Sequence, residues 1–110
     1  MDLKDEVLKP CPKGTPILTP EEQQALLATM TDWSVTQQDG EDQFIKTFRT
    51  KDFAGALALA NRIGELAEAE DHHPTLEVSW GKVTVRWWTH AIGGLHRNDA
   101  IMAARTDALA

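Results

Sequence analysis

The sequence of 110 residues predicts an α+β fold, in which a four-stranded antiparallel sheet has helices packed on one face. Two pairs of segments alternate apolar and polar residues on either side of a short turn, a pattern typical of β-hairpins. Between and after these pairs, apolar residues recur at helical spacing. Because hairpins alone bury no face, helices must cover one side of the sheet. The predicted order is helix-strand-strand-helix-strand-strand-helix.

The first helix is predicted to follow an N-terminal arm of residues 1–18, where three prolines and a glycine leave little periodicity. Thr19 can cap this helix and Pro20 suits its first position, while the two glutamates that follow complement the helix dipole. The helix should run to about Met30. We expect residues 19–110 to form a single domain, because a chain of this length is too short for two independent cores.

The first predicted hairpin joins residues 33–38 and 42–50 around Asp39-Gly40, which is a turn signal. The second of these strands has apolar side chains on both faces. We therefore expect it to lie at the edge of the sheet and to continue across a two-fold axis, since neither outer strand is guarded by proline or a run of lysines. The longest helix is predicted next, up to about Glu70, from apolar residues at helical spacing.

The second predicted hairpin joins residues 75–80 and 82–88 around Gly81. One face of its second strand is apolar and should pack under the longest helix; it consists of Val83, Val85 and Trp87. Two glycines then break the strand, and a last helix is predicted to begin at Arg97 or Asn98.

The net charge of −6 disfavours direct binding to nucleic acid, because an acidic protein repels phosphate backbones at long range. The single cysteine, Cys11, has no partner for an internal disulfide, so nothing points to an oxidising compartment. Neither a signal peptide nor an apolar run long enough to span a membrane is present. We therefore expect a cytoplasmic protein without membrane or nucleic-acid contacts.

Three of the four histidines lie where predicted elements end. His72 and His73 follow the longest helix, and His90 follows the last strand. Because antiparallel pairing places the outer ends of a hairpin side by side, we expect the three rings to lie together. Glu68 and Asp71, on the last turn of the helix, are near enough to orient a ring or to hold a polar ligand.

This cluster of histidines allows three interpretations. Imidazole gives and takes protons near neutral pH, which suits acid-base catalysis. A metal site would use the same rings, but two adjacent histidines chelate poorly compared with two that lie one helical turn apart. Alternatively, His72 and His73 only end a helix, where the dipole favours a cation. The convergence of three histidines favours a functional site.

The spacing of these residues resembles the signature of the pterin-4a-carbinolamine dehydratases, in their bacterial form. The signature reads Glu68, three residues, His72-His73-Pro74, five residues, Trp80, nine residues, His90, eight residues and Asp99. Seven fixed positions over 32 residues make a chance match improbable. The resemblance covers roughly residues 20–107 and leaves the N-terminal arm unexplained.

The resemblance implies dehydration of 4a-hydroxytetrahydropterin, such as 4a-hydroxytetrahydrobiopterin, to quinonoid dihydropterin, which recycles the pterin cofactor of aromatic amino-acid hydroxylases. It implies a functional link to phenylalanine hydroxylase and a homodimer or homotetramer. The implied catalytic residues are His72, His73 and His90. The implied pterin contacts are these three with Glu68, Asp71, Trp88, Thr89 and Ala91. Asp99 is expected to be a helix-terminus charge outside the site.

The chemistry agrees with the residue types. Loss of water from a carbinolamine needs an acid for the departing hydroxyl and a base for a ring N–H proton, with no redox change. Two imidazoles in opposite protonation states suffice, so we expect neither a cofactor nor a metal. The resemblance also leaves one alternative, a protein-binding module, because animal members of the family double as a dimerisation cofactor for a transcription factor.

Overall fold

The computed structural model describes residues 2–110 and confirms the predicted order of helices and strands. The helices are α1 Pro20–Leu27, α2 Phe53–Glu70 and α3 Arg97–Leu109, and the strands are β1 Ser34–Gln38, β2 Glu41–Arg49, β3 Thr75–Ser79 and β4 Lys82–Trp87. Single 3-10 turns occur at Leu3–Asp5 and His90–Ile92. Across residues 2–110, no helix combines the length and hydropathy that crossing a membrane requires.

Helix α1 begins as its sequence predicts, at a capping box between Thr19 and Glu22. The amide of Glu22 donates to the Thr19 hydroxyl over 3.2 Å, and the Glu22 carboxylate accepts from the Thr19 amide over 2.9 Å. The helix ends three residues before the predicted Met30. The reason is that the amides of Thr29 and Met30 donate to carbonyls three residues back instead of four, which tightens the last turn.

The sheet has the strand order β1-β2-β4-β3, and every pair is antiparallel. The expectation that residues 42–50 form an edge strand is therefore wrong. This segment is the longest strand, β2, and it pairs on one side with β1 through the Asp39-Gly40 turn and on the other side with β4. Both of its backbone edges are occupied, so the free edges belong to β1 and β3.

The core lies between one face of the sheet and the helices. The predicted apolar face of β4 is fully buried, with Val83, Val85 and Trp87 each at 0 % exposure. Helix α2 covers this face with an apolar stripe of buried residues, namely Ala56, Leu59, Ile63 and Ala67. The other face of the sheet is largely polar. There, the Thr47 and Thr84 hydroxyls lie 2.9 Å apart across neighbouring strands.

The N-terminal arm lies against α3. Leu3 and Leu8 pack onto the core, and Arg97 donates two hydrogen bonds to the Glu6 carboxylate, each of 2.8 Å. Arg105 anchors the arm again by donating to the backbone carbonyl of Glu6 over 2.6 Å. The arm therefore follows a defined course beside the start of α3, and this course brings it to the histidines.

Candidate active site

The end of α2 sends its two histidines in different directions. Asp71 caps the helix in the left-handed conformation, at φ 48° and ψ 45°, and the amide of His72 donates back to the Ala67 carbonyl over 3.1 Å. Pro74 follows and prevents further helix. The sharp change of direction turns the His72 side chain inward, at 12 % exposure, and leaves the His73 side chain half exposed, at 50 %.

The His72 ring is held by two contacts. Its Nε2 lies 2.6 Å from Oδ1 of Asp99, and its plane stacks on Trp87 with centroids 5.8 Å apart and an interplanar angle of 21°. The Asp99 side chain is fully buried. Its Oδ2 accepts from the Thr89 hydroxyl over 2.8 Å and from the His96 amide over 2.9 Å. A buried carboxylate with three donors fixes the orientation of the imidazole.

His73 and His90 join the end of α2 to the end of β4. Nε2 of His90 donates to the backbone carbonyl of His73 over 3.0 Å, and the His90 ring stacks on Trp88 with centroids 4.3 Å apart. Nε2 of His73 lies 2.5 Å from the Glu68 carboxylate. The His73 side chain is half exposed and that of Glu68 is largely exposed, so the pair orients the ring more than it stabilises the fold.

A cavity of about 550 Å³ lies at this junction. That volume is within the usual range of small-molecule pockets. Six of the eight residues predicted to contact substrate line it, namely Asp71, His72, His73, Thr89, His90 and Ala91. Glu68 and Trp88 do not line it and instead contact His73 and His90. A larger recess, of about 740 Å³ between the arm, α1 and α3, contains none of the histidines.

Sequence reasoning left Asp99 out of the site. The structure confirms its expected role at the helix terminus, because it forms a capping box with His96 at the start of α3. The same carboxylate also contacts His72, and that contact was missed. The signal was present, since Asp99 is the last position of the dehydratase signature. Sequence reasoning considered Asp99 only as a helix-terminus charge or cap or as a catalytic group, whereas one carboxylate has enough lone pairs to cap α3 and to support the His72 ring.

The arm also contributes residues that sequence reasoning did not assign to the site. Residues 8–11 line the cavity, as do Glu70 and Asn98. Burial raises the pKa of the Cys11 thiol, and the charge of Asp99 adds to this shift. The thiol therefore stays protonated at neutral pH. In the part of the chain that the structure describes, no three His, Cys, Asp or Glu side chains are placed to hold a metal ion.

The fold is of the α+β class, with helices on one face of the sheet and a histidine-lined pocket where α2 and β4 end. These features are typical of a small-molecule enzyme with groups suited to proton transfer. A family model described as pterin 4 alpha carbinolamine dehydratase matches residues 16–109. The chain belongs to this family and, as a member, is a hydro-lyase.

Similar proteins agree with this family. Proteins provisionally named pterin-4-alpha-carbinolamine dehydratase are 52 % identical over 90 % of this chain in Marinobacter nauticus and 50 % identical over 98 % in Chlorobium limicola. These matches cover 89 % and 96 % of the two relatives. The second match extends over residues 8–11, because it leaves only about two residues of the chain unmatched. The family model, by contrast, begins after these residues.

Two solved structures share the fold. The transcriptional coactivator/pterin dehydratase of Brucella melitensis is 29 % identical, with a TM-score of 0.76 over 86 % of this chain and 99 % of that one. A pterin dehydratase-like protein described as a RuBisCO assembly factor in the α-carboxysome is 22 % identical, with a TM-score of 0.60 over 71 % of this chain and 88 % of that one. At that identity, the second structure supports the fold alone.

Proposed function

We propose that this chain dehydrates 4a-hydroxytetrahydropterin, such as 4a-hydroxytetrahydrobiopterin, to quinonoid dihydropterin in a catalytic site formed by His72, His73 and His90. In this site, His72 and His90 transfer the protons, and His73 mainly binds the pterin. The observation that carries the proposal is that all three histidines line one cavity of about 550 Å³. The ring nitrogen Nε2 of each is engaged by the protein. Nδ1 of each ring is therefore the atom left to face a substrate.

The reaction needs only protons to move. An imidazolium protonates the hydroxyl on C4a, and the C–O bond breaks to release water. A neutral imidazole removes the proton of the neighbouring ring nitrogen, whose electron pair forms the new C=N bond. Neither substrate nor enzyme changes oxidation state, and the two imidazoles regain their starting forms by exchanging one proton with solvent.

The other residues predicted for the site are proposed either to bind the pterin or to support a histidine ring. Asp71, Thr89 and Ala91 line the cavity beside the histidines and are proposed to contact the pterin. Glu68 and Trp88 act through the rings that they touch, Glu68 on His73 and Trp88 on His90. The expected effect of losing either is a less well oriented imidazole, because both lie outside the cavity.

The physiological role that we infer is recycling of the pterin cofactor of aromatic amino-acid hydroxylases, with a functional link to phenylalanine hydroxylase, in a cytoplasmic homodimer or homotetramer. The support is the family's chemistry, since such hydroxylases release the carbinolamine that these enzymes dehydrate. A phenylalanine hydroxylase gene beside this one would support the link. An organism with no pterin-dependent hydroxylase would contradict it.

The dehydratase proposal is tested by mixing the purified protein with freshly made carbinolamine and following the loss of its ultraviolet absorbance. Acceleration over buffer by the parent chain, and not by His90→Ala, is the expected result. The same rate in buffer and with the parent chain would disprove the enzymatic function. Equal rates for the parent and His90→Ala would disprove the role given to the histidine.

A second candidate is a protein-binding module that regulates transcription. The name of the Brucella protein includes this function, and the present chain exposes a tryptophan, Trp80, to 72 %. With a net charge of −6, such a role would use protein partners and not DNA. Since bacterial members of the family are linked to expression of the hydroxylase, a His90→Ala chain that restores hydroxylase expression in a deletion strain would favour this role. Restoration by the parent alone would leave catalysis as the function.

A further inference from the structure

The N-terminal arm provides a large part of the cavity wall. Residues 8–11 are four of the twelve residues that line the cavity, although they lie outside the family match, which begins at residue 16. None of them belongs to the dehydratase signature. The site of this chain is therefore larger than the site that the family's shared residues define.

Asn98 holds the arm in place. Its side chain is 3 % exposed, and its carboxamide pairs with both backbone groups of Lys9. Nδ2 donates to the Lys9 carbonyl over 2.7 Å, and Oδ1 accepts from the Lys9 amide over 3.0 Å. A buried carboxamide that loses such a partner would be left unsatisfied, so the arm and Asn98 keep each other in position.

One turn of helix connects the arm to the catalytic ring. Three consecutive residues at the start of α3 reach different partners: Arg97 binds Glu6, Asn98 binds Lys9 and Asp99 binds His72. Adjacent residues of a helix are fixed relative to one another by its backbone hydrogen bonds. The arm is therefore positioned by the same rigid unit that positions the imidazole.

We propose that residues 8–11 form a substrate-binding wall of the pocket and that Asn98 is the positioning residue that keeps this wall closed. This inference rests on the proposed function, since the ligand is the pterin. A preformed wall lowers the cost of ordering ligand and protein on binding. Because it contacts the substrate before and during the reaction alike, it acts on KM and on the Kd of a stable pterin, and hardly on kcat.

The direct test adds bulk to the wall. Cys11→Phe places a large side chain at a cavity-lining position, whereas Val7→Phe makes the same change at a position of the same arm that is 81 % exposed and does not line the cavity. Titration of each protein with a stable dihydropterin should show a Kd raised about tenfold or more for Cys11→Phe, as expected when a preformed pocket is partly filled. Val7→Phe should bind like the parent. Equal binding by all three proteins would overturn the proposal.

A second variant releases the wall. Asn98→Ala should raise KM severalfold with little change in kcat, and hydrogen exchange at the Lys9 amide should become faster, because that amide loses its acceptor. In the parent, bound dihydropterin should slow exchange in residues 8–11. No such protection, together with an unchanged KM in Asn98→Ala, would overturn the proposal. If Asn98→Ala fails to fold, the dihydropterin titration of Cys11→Phe decides whether the wall binds the pterin.

The experiments distinguish an error in the proposed wall from an error in the proposed function. A parent chain that binds dihydropterin and dehydrates carbinolamine, with Cys11→Phe equal to it, disproves only the wall. A parent chain that does neither disproves the proposed function, and the wall as a pterin contact fails with it.

Discussion

Nε2 of His72 lies 2.6 Å from Oδ1 of Asp99, a carboxylate that is fully buried at the start of α3. The two residues are 27 positions apart in the chain, one after the end of α2 and the other in the first turn of α3. Since Asp99 also accepts from Thr89 and His96, it cannot move toward the cavity without losing buried hydrogen bonds. The ring is thus supported from behind, and only its cavity side is available for chemistry.

Asp99→Asn should lower kcat about tenfold or more while changing KM little, because an amide holds the imidazole less firmly than a carboxylate does. The melting temperature should also fall, since the capping box at His96 weakens. Steady-state kinetics on folded protein measure the first effect. Asp5→Asn is the control, because Asp5 is exposed and does not line the cavity. An unchanged kcat in Asp99→Asn would show that the contact only stabilises the fold.

His72→Ala and His90→Ala should each lower turnover by about 10²-fold or more, as expected when a proton-transfer group is lost. His73→Ala should raise KM more than it lowers kcat. The variants should differ in stability. His72→Ala deprives the buried Asp99 of a hydrogen-bond donor and should lower the free energy of unfolding by about 1–3 kcal/mol. His90→Ala should lower it little, because His90 is exposed. Turnover of His90→Ala at the parent rate would refute its role in proton transfer.

Thr106→Val should destabilise the fold by about 1–3 kcal/mol. The Thr106 hydroxyl is fully buried, accepts from Nε1 of Trp87 over 3.0 Å and donates to the Met102 carbonyl over 2.7 Å. Valine has the same shape but leaves the indole N–H unpaired. Thr106→Ser keeps both hydrogen bonds and should cost roughly 1 kcal/mol, the transfer free energy of one methyl group. Chemical denaturation measures both, and equal losses for Val and Ser would contradict the expectation.

The Glu6–Arg97 pair should make docking of the arm depend on pH. The hydrogen bonds from Arg97 hold the pKa of the Glu6 carboxyl below its usual value of 4.5. A carboxyl whose pKa is lowered on folding contributes stability above its unfolded pKa and loses it as pH falls through the folded pKa. Parent and Glu6→Gln should therefore differ in melting temperature at neutral pH, and the difference should shrink as pH falls below 4.5 and through the lowered pKa of folded Glu6. A difference that does not shrink with acidification would contradict this.

Light scattering at micromolar concentration should give a mass of at least twice the 12.2 kDa of one chain. The sheet has two free edges, β1 and β3, whose unpaired backbone groups can pair with a second copy. The wrong edge assignment of residues 42–50 does not change this expectation, because any four-stranded open sheet has two edges. A mass near that of a single chain would refute the predicted homo-oligomer.

The sequence alone determined the features that depend on neighbours along the chain. Apolar periodicity predicted α2, whose predicted end at Glu70 is also the observed end. The Asp39-Gly40 turn, in which both residues have positive φ, predicted the first hairpin. Hairpin pairing likewise led to the expectation that His73 and His90 meet, and the two residues share a hydrogen bond. Each of these features lies within one helix, one turn or one hairpin, so residue type and spacing are enough to predict it.

Only the tertiary structure decided which distant elements meet. The order β1-β2-β4-β3 depends on how two hairpins pair with each other, and the apolar side chains on both faces of β2 are compatible with an edge position as well as a central one. The Asn98–Lys9 clamp joins residues 89 positions apart, and no periodicity records a contact over that distance. The partner of His72 was undetermined for the same reason. Hydrogen bonds between buried groups are chosen by the packing of whole elements, and the sequence of either element alone does not contain that choice.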